Sequence, residues 1–291
     1  MTIGFGIDYA SVDENKPPDL AKAKAAGLRF AIIRAAYAAW EDPTCSRDRD
    51  RIRDAGLQFG AYLFPLMTAG APTPEEQVRA FLLHAELVPF RDFAPVLDLE
   101  WPGGIAKTGR SRSEISDWIR RAIAEFQCRT GVKPIIYSSA RVLDGNDSDA
   151  LAGAANAHLI GCPAWCARYP FKTRIPAVIN DATIDALPRP PVPKALGDAD
   201  GWWIWQYQGD AINLPGFSST VDLDEFNLMR SGSKGTRVSW AQRRVGVVEG
   251  TPGVWDEATD DAVKSFQQEK GLVADGIIGP ATFAALSWVP V

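Results

Sequence analysis

The sequence predicts an α/β fold, a closed but irregular barrel followed by a small all-α unit. Three observations predict it. Short β-rich runs alternate with amphipathic helical stretches from the N-terminus to about residue 144, the pattern of a parallel sheet with helices packed outside it. Three further strand-like runs follow with mostly loops between them. After a small polar stretch, residues 253–262 and 276–285 then repeat one another at a constant offset of 23.

In order, a first strand over 3–9 is followed by a helix over 20–26 that Gly27 ends. A strand at 30–33, a helix over 48–55 stopped by Gly56, and a strand over 59–66 come next. Both glycines stand where a helix C-terminus favours a left-handed residue. Pro74-Glu75-Glu76 opens a third helix to about Leu87 with Thr73 as N-cap, because a side-chain oxygen there satisfies a first-turn N–H and Pro is tolerated in that turn. A fourth strand spans 94–101. The longest helix, 113–130, carries Ile115, Ile119, Ile123 and Phe126 on one face, and a fifth strand returns over 134–138. The later strands are 164–169, 202–208 and 220–226, with the Pro-rich 187–193 among the loops. Five strands joined by helices and three joined mostly by loops suggest a barrel whose chemistry sits at the C-terminal strand ends. Asp8, Tyr62, Asp98, Glu100, Tyr137, Tyr169, Gln206 and Asp222 all fall near such ends.

Residues 230–236 have the polar, Gly/Ser-rich composition of a linker. They divide the chain into a barrel over 1–229 and a helical domain over 237–291. In the tail, Asp256 caps a helix over 257–270 closed by Gly271, and Pro280 starts another. With 239–245 these make a three-helix unit, small but able to fold alone.

A hydrophobic content of 46% over 291 residues is that of an ordinary globular protein. The net charge of -5, without a basic stripe, argues against nucleic acid as partner. No apolar run is long enough to cross a bilayer. The 10 Trp include several clustered with Tyr at 165–169 and 202–207; such flat rings stack on sugars and equally fill cores. The four cysteines read as reduced, buried thiols, since the spacing of Cys162 and Cys166 alone is too little for zinc. A Cys162–Cys166 disulfide across a tight turn stays open. Neither His84, on a helix beside Leu82 and Leu83, nor His158, in a loop-like stretch, is read as catalytic.

The strongest chemical signal is residues 96–100, Val-Leu-Asp-Leu-Glu. Strand alternation puts Asp98 and Glu100 on one face with Cα atoms roughly 6.7 Å apart. Like charges this close in a cleft cannot both ionise freely, so one is held protonated and can donate to a leaving group. Asp8 and Asp222 lie on other strand ends, with Asp224 on the same face as Asp222 and able to substitute for it.

Four motifs in order, Gly6-Ile7-Asp8, residues 96–100, Trp205-Gln206-Tyr207 and residues 221–226, make residues 1–229 resemble glycoside hydrolase family 25, the muramidases often called Chalaropsis-type lysozymes. The tail, with Phe266-Gln267, Gly271-Leu272, residues 275–279 and Thr282, resembles the three-helix peptidoglycan-binding domain of many wall hydrolases. The resemblance implies a TIM-like barrel of five βα units followed by three strands. It also implies cleavage of the β-1,4 bond from N-acetylmuramic acid to N-acetylglucosamine in bacterial peptidoglycan, without metal or organic cofactor.

By the same resemblance, Glu100 is the general acid and Asp98 stabilises charge or orients the 2-acetamido group, with Asp8 and Asp222 completing an acidic floor. The nucleophile is left open between Asp98, a water and the substrate's acetamido oxygen. Tyr62, Tyr137, Tyr169, Trp205 and Gln206 are the expected substrate-binding residues. Tyr62-Leu63-Phe64 departs from a frequent Tyr-His-Phe, Tyr9-Ala10 from Val-Ser, and Asp224 from Asn. A chitinase-like glycosidase is disfavoured, because Val96 stands where that class usually carries another Asp; a wall-binding protein without activity is the second alternative. The N-terminus has no basic and apolar leader, so the expectation is a monomeric endolysin of phage or prophage origin. It would be made in the bacterial cytoplasm and reach the wall through a separate holin-type pore, without inserting into the membrane.

Overall fold

The computed structural model describes residues 4–11, 16–100, 105–144, 159–172, 174–191, 194–196 and 201–290. Its strands are β1 (Gly4–Tyr9), β2 (Leu28–Tyr37), β3 (Trp40–Glu41), β4 (Gln58–Phe64), β5 (Val96–Asp98), β6 (Ile135–Ser138), β7 (Ala164–Ala167), β8 (Ile204–Ala211) and β9 (Val221–Phe226). They run in the order β1-β9-β8-β7-β6-β5-β4-β2, and a β1–β2 pairing closes the ring into an eight-stranded barrel. Neighbours are parallel except at β9, which is antiparallel to both β1 and β8. β3, which the sequence did not announce, hangs antiparallel on the end of β2 outside the ring.

The helices α1 (Leu20–Ala25), α2 (Cys45–Asp54), α3 (Pro74–Ala85), α4 (Arg112–Thr130) and α5 (Ala140–Asp144) cover the first half of the barrel, and α6 (Asp181–Asp185) lies in the loop-rich half. Strands covered on both faces read as nearly unbroken apolar runs. β2 shows this, buried everywhere except at Arg29, Arg34 and Tyr37. Inside the ring, Gly6 makes room for Phe30: a Cβ at Gly6 would lie 2.1 Å from the Phe30 ring. α3 begins as expected, with Thr73 in a capping box with Glu76, and ends two residues early because Glu86 turns left-handed. α4 starts before the expected 113, since Ser111 and Glu114 form a second capping box.

The tail forms α7 (Thr236–Val245), α8 (Glu257–Glu269) and α9 (Pro280–Ser287). The sequence repeat has a physical basis. Gln242 Nε2 donates to the carbonyls of Thr251 and Val254 and to Thr259 Oγ1, while its Oε1 accepts from Gly253 N–H. Gln267 repeats this with Ile277 C=O, Thr282 Oγ1 and Gly276 N–H, adding Asp275. Each glutamine staples a loop to the start of the next helix.

This unit does not carry a core of its own. Phe283 stacks on Trp203 at 4.4 Å between centroids and meets Phe226 at 5.5 Å and Phe93 at 5.8 Å, at the end of the barrel where the parallel strands begin. Trp288 Nε1 donates to Asp92 C=O at 2.7 Å, Ser287 Oγ accepts from Ala94 N–H at 3.1 Å, and Met229 and Ile278 exchange backbone hydrogen bonds. The stretch expected as a linker is tied down too, through Gly235 N–H to Gly253 C=O and Trp255 N–H to Ser233 C=O. So small a helical unit encloses little interior by itself, and it merges with the barrel's.

Cys45, Cys162 and Cys166 are buried free thiols. Cys128, expected to be buried, is exposed on α4. No described helix is long and apolar enough to cross a membrane. The expected strand residues Ile3 and Trp101, and His158, lie outside the described residues.

Candidate active site

Each of the eight barrel strands contributes a side chain to one cavity at the C-terminal ends of the parallel strands. Asp8, Arg34, Tyr62, Asp98, Tyr137, Trp165, Gln206 and Asp222, with Phe64 and Glu100, enclose about 200 Å³. Alternation along the strand explains the choice. Asp98 points inward while Leu97 and Leu99 join the layer between barrel and helices. Glu100 lies just beyond the end of β5, half-buried at the cavity wall.

Gln206 ties the floor together. Its Nε2 donates to Asp8 Oδ2 at 2.6 Å and to Asp222 Oδ2 at 3.2 Å; its Oε1 accepts from Tyr137 at 2.6 Å and from Tyr169. An ionised carboxylate only accepts and a phenol here donates, so the amide has one orientation that satisfies all four partners. Asp222 also accepts from Asp210 N–H at 2.7 Å. Asp210 is left-handed, with φ 50°, a strained conformation for a residue with a side chain.

The β1–β9 register pairs Asp8 with Asp222 and Gly6 with Asp224. Asp224 therefore lies a layer below the floor, fully buried and accepting from Trp165 Nε1 at 2.8 Å. It supports the site from beneath and does not replace Asp222 in the cavity wall.

Crowded carboxyls in a small volume keep their protons to higher pH. Burial pushes Asp8 well above the usual range, and the charges of Asp224 and Asp222 add to it. Asp98 is raised by burial and then by Glu100, with Arg34 opposing. Glu100 is raised by burial and then by Asp222. Asp222 is raised by burial to about 6, although Asp210 N–H favours its ionised form. Asp98 Oδ1 is buried with no hydrogen-bond partner among the described residues.

Tyr62 and Tyr137 line the cavity as expected. Tyr169 stands beside it, lining a second recess of about 550 Å³ that shares Glu100 and Tyr137 with the first and extends along Ser139, Arg141, Val142 and Ala167. Trp205 is a correction. It is fully buried on the outer face of β8, its Nε1 donating to Arg168 C=O at 2.9 Å. As Gln206 turns inward, its strand neighbour has to turn outward.

The sequence reading missed Arg34, Phe64 and Trp165 as cavity residues. Arg34 is the cavity's one cation among the described residues, held by Asp42 at 2.9 Å; a charge inside the apolar run of β2 was the available signal. The arrangement places a half-buried carboxyl of raised proton affinity among other crowded carboxyls in one small cavity. Such a site can protonate a leaving oxygen and stabilise positive charge on the carbon it leaves.

Residues 7–216 match the profile of glycosyl hydrolases family 25, and residues 234–286 match that of the "Putative peptidoglycan binding domain". The chain is 31% identical over 203 residues to the Escherichia coli protein YegX and 26% identical over 206 residues to Lysozyme M1 of Streptomyces globisporus. These alignments cover 69% and 70% of this chain, and the chain spans 60% and 62% of the length of those relatives. Among solved structures, a bacterial lysozyme from Streptomyces coelicolor superposes with a TM-score of 0.61 at 24% identity, covering 78% of this chain and 93% of that one.

Proposed function

The chain belongs to glycosyl hydrolase family 25, and from that premise we propose that it is a muramidase, hydrolysing the β-1,4 bond between N-acetylmuramic acid and N-acetylglucosamine in peptidoglycan. The observation that supports this most is the meeting of Asp98 and Glu100 in one cavity, both with raised proton affinity.

In this reading Glu100, at the wall of the cavity, gives its proton to the glycosidic oxygen. Asp98, buried beside it with an unpartnered oxygen, holds the 2-acetamido N–H and faces the developing positive charge. Asp8 and Asp222 extend that negative field, which favours an oxocarbenium-like transition state. Gln206, Tyr137 and Tyr169 keep the two floor carboxylates in position, and Tyr62 forms the side wall. In the same reading residues 1–229 carry the chemistry and residues 237–291 hold the wall, joined through the tied-down stretch 230–236 and a shared core.

The test is to incubate wild type and Glu100→Gln with purified peptidoglycan, reduce the products with borohydride and identify the new ends by mass spectrometry. Reduced muramic acid ends from wild type, with turnover about 10²–10⁴ lower in Glu100→Gln, are expected. Wall binding without new ends would instead mark a binding protein in this fold. New N-acetylglucosamine ends would reject the bond assignment.

A barrel joined to a wall-binding unit suits an enzyme delivered directly onto the wall. We infer a phage or prophage endolysin that accumulates in the cytoplasm and passes through a separate pore. Produced alone in the cytoplasm of a susceptible bacterium, it should leave cells intact until the membrane is opened; lysis with the membrane intact would overturn this.

A further inference from the structure

A row of aromatic rings leads out of the cleft on its β2–β4 side. Phe64 lines the cavity, Tyr37 lies 5.6 Å from it between centroids, and Trp40 lies 6.2 Å beyond Tyr37, with 19° between ring planes at both steps. Exposure rises outward, from a half-buried Phe64 to 39% at Tyr37 and 57% at Trp40. The row is fixed by the backbone. Tyr37 and Trp40 are a cross-strand pair, and between them Ala38 adopts a left-handed φ of 52° while donating its N–H to Phe64 C=O at 2.8 Å.

Stability is a weak reason for this arrangement. A cross-strand aromatic pair stabilises a hairpin only modestly, a left-handed alanine is unfavourable, and an indole left more than half exposed gains little from burial. Single exposed rings need no explanation, but contiguous rings running from a cavity do.

We propose that Phe64, Tyr37 and Trp40 form a sugar-stacking platform that holds N-acetylhexosamine units of the glycan strand at a distance from the bond being cut. The inference rests on the muramidase reading and deepens it. The platform is continuous with the cavity through Phe64, and its steps are comparable with one pyranose unit of an extended β-1,4 chain. Its surroundings are polar: Arg34, anchored on Asp42, lines the same cavity as Phe64 and Asp98, and Glu41 adjoins Trp40. A pyranose fits this combination, with an apolar face for the ring and hydroxyl edges for the polar groups. A protein or lipid partner would call for a broader apolar patch than one row of rings among charges. On the far side of Glu100 the recess along Tyr137 and Tyr169 continues the path. The glycan strand thus crosses the barrel mouth from Trp40 to Tyr169, with the acid between. Energy from such remote contacts helps to hold the scissile bond in place.

The test uses peptide-free glycan oligomers of four and eight sugars prepared from peptidoglycan. Wild type should prefer the octamer, and Trp40→Ala should lose about tenfold of that preference through KM, whereas Trp40→Tyr should retain most of it. Trp40 is exposed, so unchanged thermal unfolding of Trp40→Ala checks that the fold is intact. An octamer preference equal to wild type in Trp40→Ala would overturn the platform while leaving the muramidase intact. If wild type cleaved neither oligomer, the muramidase reading would fall. Calorimetric binding of the octamer to Glu100→Gln, with and without Trp40→Ala, then decides the platform: equal affinities reject it, and about tenfold weaker binding upholds it.

Discussion

Asp8, Asp98, Glu100 and Asp222 show how far a site can depart from what stability favours. Each carboxyl is wholly or partly buried beside others, so ionising them works against the fold. Asp222, raised to about 6, shows the sign of the linkage. Its folded-state proton affinity exceeds that of an unfolded carboxylate, so the native state is favoured while Asp222 is protonated, and that advantage is lost as pH rises through about 6. Wild-type thermal stability should therefore fall as pH rises from about 4 to about 7 at constant ionic strength. Asp8→Asn should flatten the fall, because the new amide can still accept from Gln206, can donate towards Asp224 and removes a charge near Asp222. We expect it to be more stable than wild type at pH 8, with the gap closing near pH 4. Parallel pH curves for the two proteins would show that these carboxyls do not repel one another through the floor.

Short, locally coded devices set the elements. Capping boxes at Thr73/Glu76 and Ser111/Glu114 start α3 and α4, and Gly131, left-handed with φ 77°, ends α4. In the tail the corresponding device is a buried amide. Gln267 uses both ends of its amide, its Nε2 serving Asp275, Ile277 and Thr282 and its Oε1 serving Gly276. Replacing it with Leu keeps most of the volume but strands buried backbone groups. Urea unfolding of Gln267→Leu should show a loss of about 2 kcal/mol, and an unchanged midpoint would mean that water replaces the staple at no cost.

At the scale of the whole molecule, the cleft and the helical tail occupy opposite ends of the barrel and share one apolar core. Phe283 is fully buried between Trp203, Phe226 and Phe93, so the tail helps to seal the barrel floor. Phe283→Ala should cost about 3–5 kcal/mol, and calorimetry should show one transition moving as a unit. Two transitions, with only a small one shifted, would show that the tail unfolds independently. A rigid junction also keeps the proposed wall-binding unit from reaching the segment in the cleft, so the two ends meet different parts of the wall.

Local patterns were enough to predict the strands of the barrel, the helix starts marked by Thr73 and Asp256, the repeat in the tail and the facing of the Asp98 and Glu100 carboxyls into one cavity. These are local, carried by alternation, caps and spacing within a few residues of one another. Alternation also contained the answer for Trp205, since it and Gln206 are adjacent and only one could face the cleft. Tertiary structure alone decided that Asp224 lies beneath the floor, that Arg34 and Phe64 reach the cavity, that Phe64, Tyr37 and Trp40 align, and that Phe283 enters the barrel's core. Barrel closure and strand register bring these residues together from distant parts of the chain, and no local pattern encodes which of them meet.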